Sequence, residues 1–233
     1  MGTAQTEFLG RIRASIGSDR ERAAVPIRCA SSDRSPGAGA AQRAGRLLDR
    51  FLAELSLAGG TGHRVQSPAQ ARETLRELAG AVGARRAVMW QHPLLAGLDL
   101  RIAFADTGIE CWEVGAVLPA GERLTMMAQA DLGVTAVDYA VAETGSLVLC
   151  SRAGQDRLVS LLPPLHVALL PPSALVPSLD ALPPLLRSDL EDPAGASNIV
   201  FITGPSRTAD IELSLTQGVH GPKALHVIAW DNE

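Results

Sequence analysis

The second half of the chain is punctuated by short apolar runs: Val134 to Ala142, Leu147 to Cys150, His166 to Leu170, Ile199 to Thr203 and Leu225 to Trp230, most of them bounded by Gly, Pro or Asp. They lack the apolar–polar alternation of a half-exposed strand and are read as strands covered on both faces. Helical patterns lie between several of them, such as Ser173 to Leu186, which Pro177, Pro183 and Pro184 shorten. Strands alternating with helices predict an α/β fold built on a largely parallel, doubly wound sheet. A length of 233 residues suits one large α/β domain or two small ones.

The first half adds the remaining elements. Leu47, Leu48, Phe51, Leu52 and Leu55 form an apolar stripe opposite Arg43, Arg46, Arg50 and Glu54, which predicts an amphipathic helix. Ser67-Pro68 supplies an N-cap followed by proline, Gln70 completes a capping box, and Ala71, Leu75, Leu78 and Val82 give that helix its buried face. Ala87 to Trp90 is a strand candidate, with weaker ones at His63 to Gln66 and Ile109 to Val114, and Glu122 to Leu132 reads as a helix. Nearer the N-terminus, Phe8, Leu9, Ile12 and Ile16 predict a short amphipathic helix, and the Ser-, Arg-, Gly- and Pro-rich stretch after it reads as linker. The division expected is therefore an arm and linker over 1–41 and an α/β domain over 42–233.

Composition removes several function classes. A net charge of −4 and 3% aromatic residues argue against a nucleic-acid binder, which needs a basic field or stacking platforms. Cys29, Cys111 and Cys150 are far apart and form no C-x-x-C pair, so neither a disulfide framework nor a thiolate-held cluster is expected. Free thiols fit a reducing cytoplasm. No run approaches the roughly 20 apolar residues of a membrane span. His63, His92, His166 and His226 show no metal-ligand spacing, so no metal site is expected.

Four stretches carry candidate chemistry. Ala142-Glu143-Thr144-Gly145-Ser146 places a carboxylate and two hydroxyls on a short turn, where Glu143 suits acid–base work or simple solvation. Downstream, Arg157 is a candidate anion clamp or a surface partner of Asp156, with Ser160 close by. Thr203-Gly204-Pro205-Ser206-Arg207-Thr208 follows an apolar run and combines glycine, hydroxyls and a guanidinium, which suits an anion. It is neither a Walker loop nor a dinucleotide fingerprint. Asp210 and Glu212 follow, on a segment that reads equally as strand or capped helix. Gly218-Val219-His220-Gly221-Pro222 sets a histidine between flexible residues, as a titrating group or as a turn.

In order along the chain, Ala142 to Leu149, Arg157 with Ser160 to Pro163, Ile202 to Glu212, and Gly218 to Pro222 resemble the lactate-utilisation protein C family, which carries the LUD domain. The resemblance implies a three-layer α/β fold akin to ribose-phosphate isomerases, glucosamine-phosphate deaminases and CoA transferases. It also implies a cytoplasmic role in bacterial oxidation of L-lactate to pyruvate beside two iron–sulfur partner proteins, with no cofactor held by this chain. On chemical grounds Arg207 and the backbone of Gly204 to Thr208 would hold a small carboxylate or phosphate, with Arg157 as second clamp and Glu143 or His220 as proton carrier. Thr144, Gly145, Ser146, Ser160, Thr203, Ser206, Thr208, Asp210 and Glu212 complete the expected ligand-binding set, and all four blocks are expected to share one cleft. The alternatives are a stand-alone enzyme on a sugar phosphate or acyl-CoA, with Glu143 as nucleophile or base, and a binding protein that docks through its first helix.

Overall fold

Two strands buried at every position lie side by side in the interior of the six-stranded sheet. The computed structural model describes residues 38–115, 119–191, 195–209, 215–217 and 220–231, all of one compact unit. The expected N-terminal helix and most of the linker lie outside the described residues.

The strands are β1 (Thr61–Val65), β2 (Arg86–Trp90), β3 (Glu110–Val114), β4 (Leu132–Ala136), β5 (Tyr139–Val141), β6 (Ser146–Ser151), β7 (Leu165–Leu170), β8 (Leu175–Val176), β9 (Asn198–Ile202), β10 (Arg207–Ala209), β11 (Leu215–Gln217) and β12 (Ala224–Trp230). The helices are α1 (Ala38–Leu57), α2 (Pro68–Ala81), α3 (Pro93–Leu98), α4 (Leu100–Ala105), α5 (Ala120–Gln129) and α6 (Leu182–Glu191). Six strands form the central sheet in the order β1-β12-β7-β4-β2-β3, every pair parallel. Helices flank it, as the sequence pattern predicts. β4 and β7 are buried along their whole length, and His166 of β7 is bonded through Nε2 to Thr135 Oγ1 of β4 at 2.9 Å. Burial alone holds the His166 imidazole neutral, its pKa pushed down to about 3.

α1 forms because its apolar stripe has somewhere to go: Leu48, Phe51 and Leu55 are fully enclosed. In α2, Ser67 Oγ accepts the Gln70 N–H at 3.2 Å, but the Gln70 side chain accepts from Gln66 rather than from Ser67. Ala71, Leu75 and Ala79 supply its core face. Val82, expected in that face, is the C-cap and is 53% exposed, because the helix ends one residue earlier.

The apolar runs are divided differently from the sequence expectation. Val134 to Ala142 is not one strand: it breaks at Val137–Asp138 into β4 and β5, which belong to different sheets. β5, β6 and β9 join β8 in a second sheet of order β8-β5-β6-β9, in which β6 is antiparallel to both neighbours. The physical reason is the short link from Val141 to Ser146, which closes a hairpin and cannot carry a parallel crossover. Ser173 to Leu186 is likewise two 3₁₀ turns, β8 and the start of α6, with Pro183 and Pro184 confined to the first turn of that helix.

Candidate functional site

Three of the four sequence blocks meet. Pairing of Leu147 with Ile202 sets Ser146 beside Thr203, and their hydroxyls are 2.7 Å apart. Thr144 Oγ1 donates to Ser146 Oγ at 2.8 Å, completing a row of three hydroxyls. Ser206 joins the last block: its N–H donates to the Pro222 carbonyl at 3.0 Å, and its Oγ accepts the His220 N–H at 3.3 Å. Glu143 and His220 are exposed, and the Glu143 carboxylate accepts the Leu179 N–H at 3.4 Å. Arg207 and Thr208 lie on β10, paired with β11, which favours strand over helix there. Asp210 and Glu212, like the side chains of Arg207 and Thr208, lie outside the described residues.

The motif glycines have a packing role. Gly145 (φ 65°) and Gly204 (φ 88°) face the last turns of α1. A Cβ on Gly145 would stand 2.6 Å from the Glu54 carbonyl carbon and 2.7 Å from Leu55 Cα, and one on Gly204 would stand 3.1 Å from the Ala58 carbonyl carbon. The position of the missing Cβ is thus taken up by backbone in both cases, that of α1 at Gly145 and that of Ala58, just past the helix, at Gly204. Pro222 and Lys223 lead directly into β12, so this junction sits at the amino end of the parallel sheet.

Arg157 is elsewhere, which corrects the expectation of one shared cleft. β6 runs from Ser146 at the junction to Ser151 at its far end, about 17 Å in extended chain, and Arg157 belongs to the far end. A cavity of about 490 Å³ opens there, lined among others by Arg123, Ser151, Arg152, Gln155, Arg157 and Asn198. The loop that forms it is pinned to the carboxyl end of β2: Gln91 N–H donates to the Gly154 carbonyl at 2.9 Å and Trp90 Nε1 to the Asp156 carbonyl at 2.8 Å. Around β2 the winding reverses, because β3 lies on one side and β4 on the other. That is where open α/β sheets gather ligands.

The lining side chains differ in how far they are already committed. Arg152 is half-buried and pairs with Asp138 at 2.6 Å and Asp189 at 2.9 Å, while Asp189 also accepts the Tyr139 hydroxyl at 2.8 Å. Burial first, then the Asp138 and Asp189 carboxylates, push the neighbouring Cys150 thiol up to about 12, so it offers no thiolate nucleophile. Arg157 is exposed and makes no ion pair among the described residues. Ser151 Oγ and Gln155 Oε1 are buried and have no hydrogen-bond partner among the described residues. Each such orphan costs about 1–3 kcal/mol. Ser160, expected to touch ligand, is 1% exposed and donates instead to the Arg157 carbonyl at 2.8 Å, closing the 3₁₀ turn Arg157–Ser160. Among the described residues no three His, Cys, Asp or Glu side chains converge as metal ligands, and no helix is long and apolar enough to cross a membrane.

The cavity wall thus brings together guanidinium groups and two buried oxygens that have no hydrogen-bond partner among the described residues. Sequence reasoning reached Arg157 but missed Arg123, Ser151, Arg152, Gln155 and Asn198. A signal existed in Ser151-Arg152-Ala153-Gly154-Gln155-Asp156-Arg157, a polar, glycine-bearing connection directly after an apolar run, like the one at 203–208.

Comparison with known proteins is consistent along most of the chain. A lactate utilization protein C from Halalkalibacterium halodurans is 39% identical over 153 residues, and the match spans 64% of each protein, just under two thirds. The Bacillus subtilis protein of the same name is 28% identical over 246 residues, covering 99% of this chain and 98% of that one. A crystal structure of a DUF162-family protein from Deinococcus radiodurans shares the fold, with a TM-score of 0.58 at 18% identity, covering 80% of this chain and 98% of that one. The model of the LUD domain matches residues 48–229, and the chain belongs to that family.

Proposed function

We propose that this chain serves bacterial lactate utilisation as a cytoplasmic subunit that holds a small carboxylate in the Arg157 cavity and acts with iron–sulfur partners. In this reading the oxidation of L-lactate to pyruvate delivers its two electrons to the partners' clusters, and this chain contributes binding. The observation that carries the proposal is the cavity itself: an exposed guanidinium with no ion pair among the described residues, beside buried unpaired polar atoms, at the winding reversal of the sheet. The names of the relatives support the choice of lactate as the pathway's carbon source.

Deleting the gene is expected to abolish growth on L-lactate and leave growth on pyruvate intact. A plasmid copy should restore growth, and a copy carrying Arg157→Met should not. A tagged chain from lactate-grown cells should co-purify with proteins that show iron–sulfur absorbance. Unimpaired growth of the deletion strain overturns the proposal, as does turnover of a sugar phosphate or acyl-CoA by the purified chain alone.

A further inference from the structure

We infer that β9 is the contact strand of a symmetric dimer, in which two copies of this chain join antiparallel through it and the second sheet runs on from one copy into the other. The inference concerns a surface and stands apart from the reading of the cavity.

The two larger sheets end in four edge strands, β1 and β3 in one, β8 and β9 in the other. An open edge is a row of unpaired backbone donors and acceptors, which natural proteins blunt with charge, short length or a cover. Three of these four edges are blunted. β1 carries Arg64, which pairs with Asp49 and, at 3.2 Å, with Asp231. β3 carries Glu110 and Glu113, and β8 is two residues long. β9 has none of these devices. Its sequence, Asn198-Ile199-Val200-Phe201-Ile202, contains no charge, proline or glycine, and its last four residues are apolar and β-favouring. It pairs with β6 on one side and, among the described residues, with no strand on the other.

The side chains leave a matching gap. Phe201 lies opposite Val148 of β6, and Val148 packs in one cluster with Val141, Val176 and Leu182, against which Ile199 and Leu186 are partly buried. α6, through Leu182 and Leu186, covers this face of the sheet, yet Phe201 at its margin is 50% exposed. Leu185 and Leu190 of the same helix are exposed as well.

The occupant follows from what the edge accepts: an extended, uncharged, apolar strand. β9 of a second copy is such a strand and has the same edge to cover, so one two-fold contact closes both. Directly opposite residues of an antiparallel pair put their side chains on the same face, so the pairing is centred on a residue that meets its own counterpart. Centred on Val200, it uses all five residues of each strand and sets Ile199 against Phe201 of the second copy. Asn198, which lines the cavity, then lies opposite Ile202 of the second copy, so the contact borders both cavities.

The test is sedimentation equilibrium of the purified full chain across a range of concentrations. At high concentration the wild type is expected to show twice the mass of one chain. Phe201→Lys, which sets a charge on the edge, should raise the dissociation constant of the dimer at least about tenfold and keep the wild-type circular dichroism spectrum. In the wild type, backbone hydrogen exchange over 198–202 should slow as the concentration rises. A wild type of single-chain mass at every concentration overturns the inference, whether β9 is then covered from within the chain or by a different protein. A dimer that Phe201→Lys does not weaken overturns it, as does one whose exchange over 198–202 is independent of concentration. The exchange measurement decides the matter even if Phe201→Lys does not fold.

Discussion

Replacing Gly145 by alanine separates a helix seat from a ligand cradle. At φ 65° the residue is in the left-handed region, where an alanine costs about 1–2 kcal/mol. The added Cβ would lie 2.6 Å from the Glu54 carbonyl carbon and 2.7 Å from Leu55 Cα. These are backbone atoms, so no side-chain rotation relieves the overlap. α1 must back away, taking Phe51 and Leu55, each 0% exposed, partly out of the core. Overpacking of this kind costs about 1–3 kcal/mol, which brings the sum to about 2–5 kcal/mol. For a domain of this size that corresponds to a melting temperature lower by about 4–20 °C. Urea denaturation and thermal melting of wild type and Gly145→Ala measure the loss. Carboxylate binding by the folded variant should be unchanged, because the cavity lies at the far end of β6. A stability change below about 0.5 kcal/mol combined with loss of carboxylate binding would refute the reasoning and return Gly145 to the ligand.

Two further outcomes follow from buried charge. The His166 pKa of about 3 lies below the usual imidazole value of about 6.5, so the unfolded chain takes the proton first; stability is full above pH 6.5, falls as the pH drops toward 3, and is lower by about 2 kcal/mol at pH 5. His63, His92 and His226 are lowered as well, chiefly by burial, and act in the same direction; His166→Gln should lose about 2 kcal/mol less over that range in denaturation curves at pH 7.5 and 5. Arg152→Met leaves Asp138 and Asp189 facing each other without their cation, each about one fifth exposed, and should cost about 1–3 kcal/mol, less than a fully buried pair. The Asp189→Asn change made in that background should recover part of the loss, and failure to recover any would show that the guanidinium acts through packing alone.

The central sheet was legible because burial on both faces leaves its mark residue by residue: Val134 to Ala136 and His166 to Leu170 have almost no polar position to spare, although Leu132, read as the end of a helix, is the first residue of β4. Strand direction leaves no such mark. Leu147 to Cys150 looks like the same kind of run, yet it lies in an antiparallel sheet, and the only local clue was the short connection between Val141 and Ser146. Capping at Ser67 was readable from three adjacent residues. The meaning of Gly145 was not, since the atoms that demand a glycine there belong to a helix some ninety positions earlier.

The same distinction explains why the site was only half legible. Order along the chain groups Arg157 with the glycine and hydroxyl motifs, but β6 stands between them like a spacer, its first residue at the junction and its last in the cavity wall. The junction consumes its polar groups: Thr144, Ser146 and Thr203 bond in a row, and Ser206 is used by Pro222 and His220. The cavity does the opposite and leaves Ser151 Oγ and Gln155 Oε1 unpaired among the described residues. Satisfied groups stabilise a fold, whereas buried orphans lower its stability unless a ligand pairs with them. An orphan is a property of three-dimensional surroundings and has no sequence signature. That is why Gln155 passed unnoticed beside Arg157 until the loop was seen folded over the end of β2.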